Sequence, residues 1–293
     1  MHGMHARLPK NFVLEERLER YARAIELKPT HYAGCWTDAC RQLCGADMVT
    51  FDHLHVDLGC GKGAYVVQAA QAHPHTLYVA IDAEPICVAY TAQHAMEAEL
   101  TNVVVVPAVG SSVADIFAPG EVSSISLNFP TPFPRKKEAH KRLTILERLN
   151  DYRQVLAPEG TLCFKTDSYP LWRFTLEQLE LAAFDVLWQA EDARSETDTQ
   201  AADKADMARY LADEPLTEYE QRLTAQGATV YALLATPGDR QPATTQTSSL
   251  SLVDYLPTDL EALDYVPHGM QGTVTNLRNR SRHAQMRARR RRS

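Results

Sequence analysis

"HVDLGCGKG", residues 55–63, passes from an apolar run ending at Asp57 into a turn that holds Gly59, Gly61 and Gly63. Glycine admits positive φ and close backbone approach, and a helix that follows directly presents unpaired N–H groups, so this turn is shaped to receive a polar ligand. The third glycine comes one residue early for G-x-G-x-x-G, which weakens a dinucleotide reading. A strand feeding such a turn predicts an α/β domain, and the texture on either side agrees. "LHVDLG", "TLYVAID", "NVVVVPA", "VSSISLNF", "GTLCFKTD", "FDVLWQA" and "ATVYALLATP" read as strands. Helices are expected to begin near Lys62, Glu84, Ser111, Lys136 and Tyr169, an alternation that builds right-handed parallel crossovers.

Upstream, "LEERLERYARAIEL" places Leu14, Leu18, Tyr21 and Ile25 at helical intervals, so residues 1–48 are expected to form an amphipathic helical arm. Residues 49–238 hold the α/β domain, interrupted at 190–214 by an acid-rich insertion without strand pattern. Residues 239–293 open with the linker-like "GDRQPATTQTSSLS" and end in an arginine-rich tail. The 45% hydrophobic content supports a sizeable core, and no apolar run reaches the roughly 18–20 residues of a membrane span. The start has no apolar signal centre, and six cysteines are too few and dispersed for a disulfide scaffold. The chain therefore reads as cytoplasmic, as a monomer or homodimer. Cys35, Cys40 and Cys44 follow His31 at spacings other than C-x2-C, so small buried side chains explain them better than a metal site, and no metal is expected.

Charge is uneven. Residues 276–293 carry eight arginines and no acid; removing those eight positive charges from the net −7 leaves −15 on the rest. Such a run is expected to be unfolded, either as a solvated tail or as a counterion-releasing contact with nucleic acid phosphates. A second basic run follows three alternating prolines in "NFPTPFPRKKEAHKR", residues 128–142. Prolines make this a stiff, extended segment, and Arg135 to Lys137 at a helix start oppose the macrodipole, which favours a phosphate partner over a purely structural role.

Four polar residues, Asp57, Asp82, Asn128 and Asp167, end strands on one rim, where open parallel sheets hold their ligands. Asp82, about 20 residues after the glycine turn, is placed to accept hydrogen bonds from ribose hydroxyls.

D-x-G-x-G-x-G, an acid after the second strand and a late seventh strand together resemble the class I S-adenosylmethionine-dependent methyltransferases. "NFPTPFPRKKEAHKR", "KTD" and "PLTEYEQR" narrow the resemblance, over roughly residues 52–236, to the tRNA (guanine-N7)-methyltransferase family. It implies a Rossmann-like sheet of seven strands, the last antiparallel, with S-adenosylmethionine as cofactor and tRNA as partner. Asp57 would lie beside the methionine part of the cofactor, Gly59 and Gly61 would admit its backbone-level contacts, Asp82 would hold the ribose, and Asn128 would complete the cofactor site. Arg135 and Asp167 would contact the target nucleotide, and Thr217 and Glu220 would close over guanine. Lys136, Lys137, Lys141 and Arg142 would track the RNA backbone.

The chain departs from that pattern twice. The family's F-P-D-P reads F-P-T-P here, with Thr131 in place of the acid, and no acid follows the third strand around Val109, where one is expected near adenine. Guanine N7 carries an exposed lone pair and needs no general base, so the chemistry rests on alignment and charge stabilisation, with Thr131 and Asp167 as the candidate catalytic residues. Two other readings stay open: a non-catalytic RNA-binding relative that lost turnover with the acid, and a methyltransferase with a different substrate.

Overall fold

The computed structural model describes residues 12–39, 50–194 and 214–292. Its strands are β1 (His53–Leu58), β2 (Thr76–Asp82), β3 (Val103–Pro107), β4 (Val122–Asn128), β5 (Leu156–Thr166), β6 (Phe184–Ala190) and β7 (Tyr231–Pro237), in the order β3-β2-β1-β4-β5-β7-β6. β2 pairs parallel with β1 and β3, and β4 pairs parallel with β5. β7 runs antiparallel to both β5 and β6, as the resemblance implies for the last strand. The chain divides into two compact units, Met1–Ile116 and Phe117–Ser293.

The first unit carries α1 (Leu14–Arg20), α2 (Trp36–Ala39), α3 (Ala64–Ala72), α4 (Pro85–Glu97) and α5 (Val113–Ile116). Parallel strands covered on both faces need apolar residues at successive positions, and Leu77, Val79, Ala80 and Ile81 of β2 are all fully buried. Small residues of α3 and α4, among them Ala69, Ala70, Ala92 and Ala95, share a core with Val103 and Val105. The arm differs from its expected continuous helix. α1 stops at Arg20, and Ile25 is extended and bridges Val105, with the Glu26 N–H donating to the Val105 carbonyl at 2.9 Å. The edge of β3 offers unpaired backbone groups, and pairing there satisfies them while Leu18, Tyr21 and Ile25 pack on the core. Trp36, fully buried, donates Nε1–H to the Ile116 carbonyl at 3.0 Å.

The second unit carries α6 (Leu146–Val155), α7 (Tyr169–Leu181), α8 (Glu218–Ala225) and α9 (Gln271–Arg292). No α-helix starts at Lys136: Lys136–Lys141 is a 3-10 turn that buries only Ala139. The helical apolar spacing begins ten residues later with Leu146, Leu149, Tyr152 and Val155, and the Gln178 side chain caps the Leu146 N–H at 2.9 Å. The linker-like stretch packs along α7: the Ala243 N–H donates to the Leu181 carbonyl at 2.7 Å, and Tyr255 donates to Glu177 at 2.6 Å. Leu252, Met270 and Val274 are buried.

The arginine-rich segment, expected to be unfolded, is helical in α9. Arg278 donates to the carbonyls of Leu260 and Leu263, and Arg282 grips Glu261 at 2.9 and 2.8 Å, so part of the positive charge is spent on internal partners. No helix among the described residues is long and apolar enough to cross a membrane.

Candidate active site

The glycine turn is fixed by neighbours on every side. Gly59, Gly61 and Gly63 take φ of +80°, +57° and +79°. The N–H groups of Gly59 and Cys60 donate to the Ile81 carbonyl, tying the turn to β2. From α4, Thr91 Oγ1 donates to the Gly61 carbonyl at 3.0 Å, and His94 Nδ1 lies 2.8 Å from the Lys62 carbonyl. A Cβ on Gly63 would stand 2.8 Å from Thr91 Cγ2, whereas one on Gly61 would meet nothing within 4 Å. Packing and conformation both require Gly63; Gly61 leaves open space over the turn.

Asp82 closes the turn. Its Oδ2 accepts the Gly61 N–H at 2.9 Å and its Oδ1 the Glu84 N–H at 2.8 Å. Each carboxylate oxygen retains a further lone pair for a hydroxyl donor. Burial raises the Asp82 pKa above the ordinary carboxylate value, and these backbone hydrogen bonds oppose the rise. Asp57, at the end of β1, is 1% exposed. Burial, then the charges of Asp57 and Asp82, push the Cys60 thiol well above its usual range. An open glycine turn flanked by two acids suits a nucleoside that brings hydroxyl and ammonium donors.

In the second unit β4 ends at Asn128, in register with Lys165 of β5. Both polar atoms of the Asn128 side chain are buried and meet no hydrogen-bond partner among the described residues. A buried polar group left so costs about 1–3 kcal/mol. The proline segment that follows is not uniformly extended. Phe129 and Phe133 take φ of +51° and +44°, each roughly 1–2 kcal/mol unfavourable for a side-chain-bearing residue. Each precedes a proline, which disfavours the right-handed helical region.

Specific contacts hold both strained residues. The Phe129 N–H donates to the Lys165 carbonyl at 2.8 Å, and its ring meets Tyr219 edge-on at 5.6 Å. Arg142 reaches under the loop: Nε donates to Pro132 at 3.0 Å, and a terminal nitrogen donates to Phe133 at 2.7 Å and to Leu250 at 3.0 Å. Its guanidinium lies 4.5 Å from the Phe174 ring centroid. Thr131, Arg135, Lys136, Lys137 and Lys141 are exposed, and Lys141 lies over the Phe133 ring.

Two expectations are corrected. Arg142 is 1% exposed and holds the loop from beneath; it cannot reach an RNA phosphate without abandoning those carbonyls. Glu220 is fully buried, with Oε1 2.6 Å from Arg194 Nε and Oε2 3.8 Å from Lys165 Nζ, so its carboxylate serves an internal ion cluster rather than a guanine. Lys165 also pairs with Glu214 at 2.9 Å; burial works to lower its pKa, but neighbouring charges led by Glu214 outweigh it and raise the value. Thr217 caps α8 by accepting the Glu220 N–H at 3.2 Å, the acceptor half of a capping box.

Asp167, 8% exposed, follows β5 directly, and its Oδ2 accepts the Tyr265 hydroxyl at 2.6 Å and the His268 N–H at 3.3 Å. No local pattern points to Tyr265, because its partner lies 98 residues away. Cys40 and Cys44 lie outside the described residues, as does most of the acidic insertion; Cys35 is exposed.

A parallel sheet with a reversed seventh strand, carrying a glycine turn clamped by an acid from β2, defines a class I methyltransferase. The Methyltransf_4 family model, described as "Putative methyltransferase", matches residues 52–233. A tRNA (guanine-N(7)-)-methyltransferase of Brevibacillus brevis is 30% identical over 221 residues, 75% of this chain and 94% of the relative. One from Lactiplantibacillus plantarum is 33% identical over 62% of this chain and 79% of its own. One from Lactococcus lactis is 29% identical over 75% and 93%. The chain belongs to the tRNA (guanine-N7)-methyltransferase family. Among solved structures, an antibiotic-related methyltransferase superposes with TM-score 0.48 at 19% identity, covering 72% of this chain and 98% of the other.

Proposed function

We propose that this chain transfers a methyl group from S-adenosylmethionine to N7 of a guanine in tRNA. The observation that carries the reading is the 30% identity, across 94% of its length, to a tRNA (guanine-N(7)-)-methyltransferase. The donor residues of the first unit fit the cofactor: Asp82 for the ribose hydroxyls, Asp57 for the amino-acid ammonium, and Gly59 and Gly61 for close approach. Bound there, S-adenosylmethionine would supply an activated methyl group on its sulfonium, with the neutral thioether as leaving group.

The chain's own task is alignment and charge stabilisation, because the N7 lone pair needs no base. Asp167 accepts hydrogen bonds from the guanine N–H groups and opposes the positive charge that grows on the ring. Thr131 supplies a hydroxyl where relatives bring an acid, and the Thr217 hydroxyl keeps a donor beyond its capping role. Exposed Arg135, Lys136, Lys137 and Lys141 contact phosphates.

The methyltransferase domain spans residues 49–238, with an arm over 1–48 and an extension over 239–293. The protein acts in the cytoplasm, as a monomer or homodimer. Incorporation of labelled methyl into bulk tRNA, compared with small metabolites and protein, tests the substrate class. Label confined to the latter pools contradicts the reading.

A further inference from the structure

The family match ends at residue 233, yet the chain beyond it returns to the acceptor residues. The Leu252 N–H donates to the Pro134 carbonyl at 3.1 Å. Gly269, at φ +83°, brings backbone so near the proline segment that a Cβ there would stand 3.2 Å from Pro132 Cδ. Ser168, next to Asp167, donates to Met270 Sδ at 3.3 Å, and Met270 and Val274 are buried. The extension therefore touches both segments that the functional reading assigns to the guanine.

Beside Asp167 lies a cavity of about 390 Å³, within the range of small-molecule sites. Asp167, Tyr169 and Tyr231 line it from the domain; Leu263, Tyr265 and Pro267 line it from the extension. The Tyr265 hydroxyl engages only Oδ2 of Asp167, at 2.6 Å, the short distance of a charge-assisted bond. Oδ1 takes no hydrogen bond among the described residues. Tyr265 thus pins the carboxylate without filling the cavity.

We propose that the C-terminal extension completes the acceptor site, and that Tyr265 is a positioning residue whose hydroxyl orients Asp167 so that Oδ1 meets the guanine N–H donors. This rests on the functional reading above. Burial, and then the contact with Asp167, raise the Tyr265 pKa, so the phenol remains a donor across the working pH range.

Tyr265→Phe keeps the ring and removes the donor; Tyr265→His keeps a donor. Steady-state tRNA methylation, S-adenosylmethionine binding and thermal unfolding are measured for the parent and both variants. Expected is a drop of about tenfold or more in kcat/KM for tRNA in Tyr265→Phe, with cofactor Kd unchanged and Tm lowered by a few degrees but still well above the assay temperature. Tyr265→His regains part of that rate. A Tyr265→Phe rate within twofold of the parent, a faster one, or equal losses in both variants overturns the proposal alone. A parent that methylates no tRNA removes the functional reading and this proposal with it.

Discussion

Residues with the same formal chemistry serve opposite purposes here, and burial decides which. Arg142 and Arg135 sit seven positions apart in one basic run, but only Arg142 turns inward, to the carbonyls that left-handed Phe133 and its neighbours expose. Burial lowers the Arg142 pKa to about 10, which still leaves it charged near neutrality. Arg142→Gln should destabilise the fold by about 2–4 kcal/mol, since charged hydrogen bonds disappear and carbonyls are left unpaired. Urea unfolding reads this, and a change below about 0.5 kcal/mol would contradict the role.

Cys87 gives a pH test at the same scale. Burial, then the charges of Asp82 and Glu84, push its thiol up to about 12, so its thiolate is scarce at pH 8 and grows only as pH approaches that value. Iodoacetamide at pH 8 should therefore label exposed Cys35 far faster than Cys87, with the Cys87 rate climbing through alkaline pH. Equal rates at pH 8 would contradict the assigned environment.

Among elements, the glycine turn was legible because its requirements are local: a strand, three glycines and a helix start contain the geometry. The distinction between its glycines was not, because it depends on Thr91 from α4. Gly61→Ala meets only φ strain, about 1–2 kcal/mol, because its Cβ enters open space. Gly63→Ala adds overpacking against Thr91, for about 2–4 kcal/mol in all. Chemical denaturation should rank Gly63→Ala below Gly61→Ala in stability; the reverse order would refute this division of roles.

Elements whose fate depends on distant partners were not legible, for the same reason. The arm is shorter than its periodicity implies because the β3 edge captures Ile25, and the "TEYE" acid turns inward to Lys165 and Arg194. The proline segment kinks because Arg142 and Lys165 hold its strained carbonyls and amides in place.

For the whole molecule, strand count, order of elements and the reversed last strand were readable from periodicity and resemblance. The course of residues 239–292 was not, since polar, proline-rich composition hides the few buried anchors, Leu252, Met270 and Val274. That course also changes how the arginines are tested. Removing residues 284–293 spares Arg278 and Arg282, which hold the segment around Leu260 and Glu261, and deletes five arginines. tRNA affinity should fall most at low salt, and the slope of log K against log salt should shrink by about 0.7–0.9 for each phosphate no longer neutralised. An unchanged slope would take the helix end out of tRNA binding.

Nucleoside mass spectrometry of unmodified tRNA incubated with the protein and S-adenosylmethionine decides whether the chain methylates guanine N7. 7-Methylguanosine that appears with time and enzyme is the predicted result. No methylation, or methyl groups at another atom of the tRNA, would contradict it.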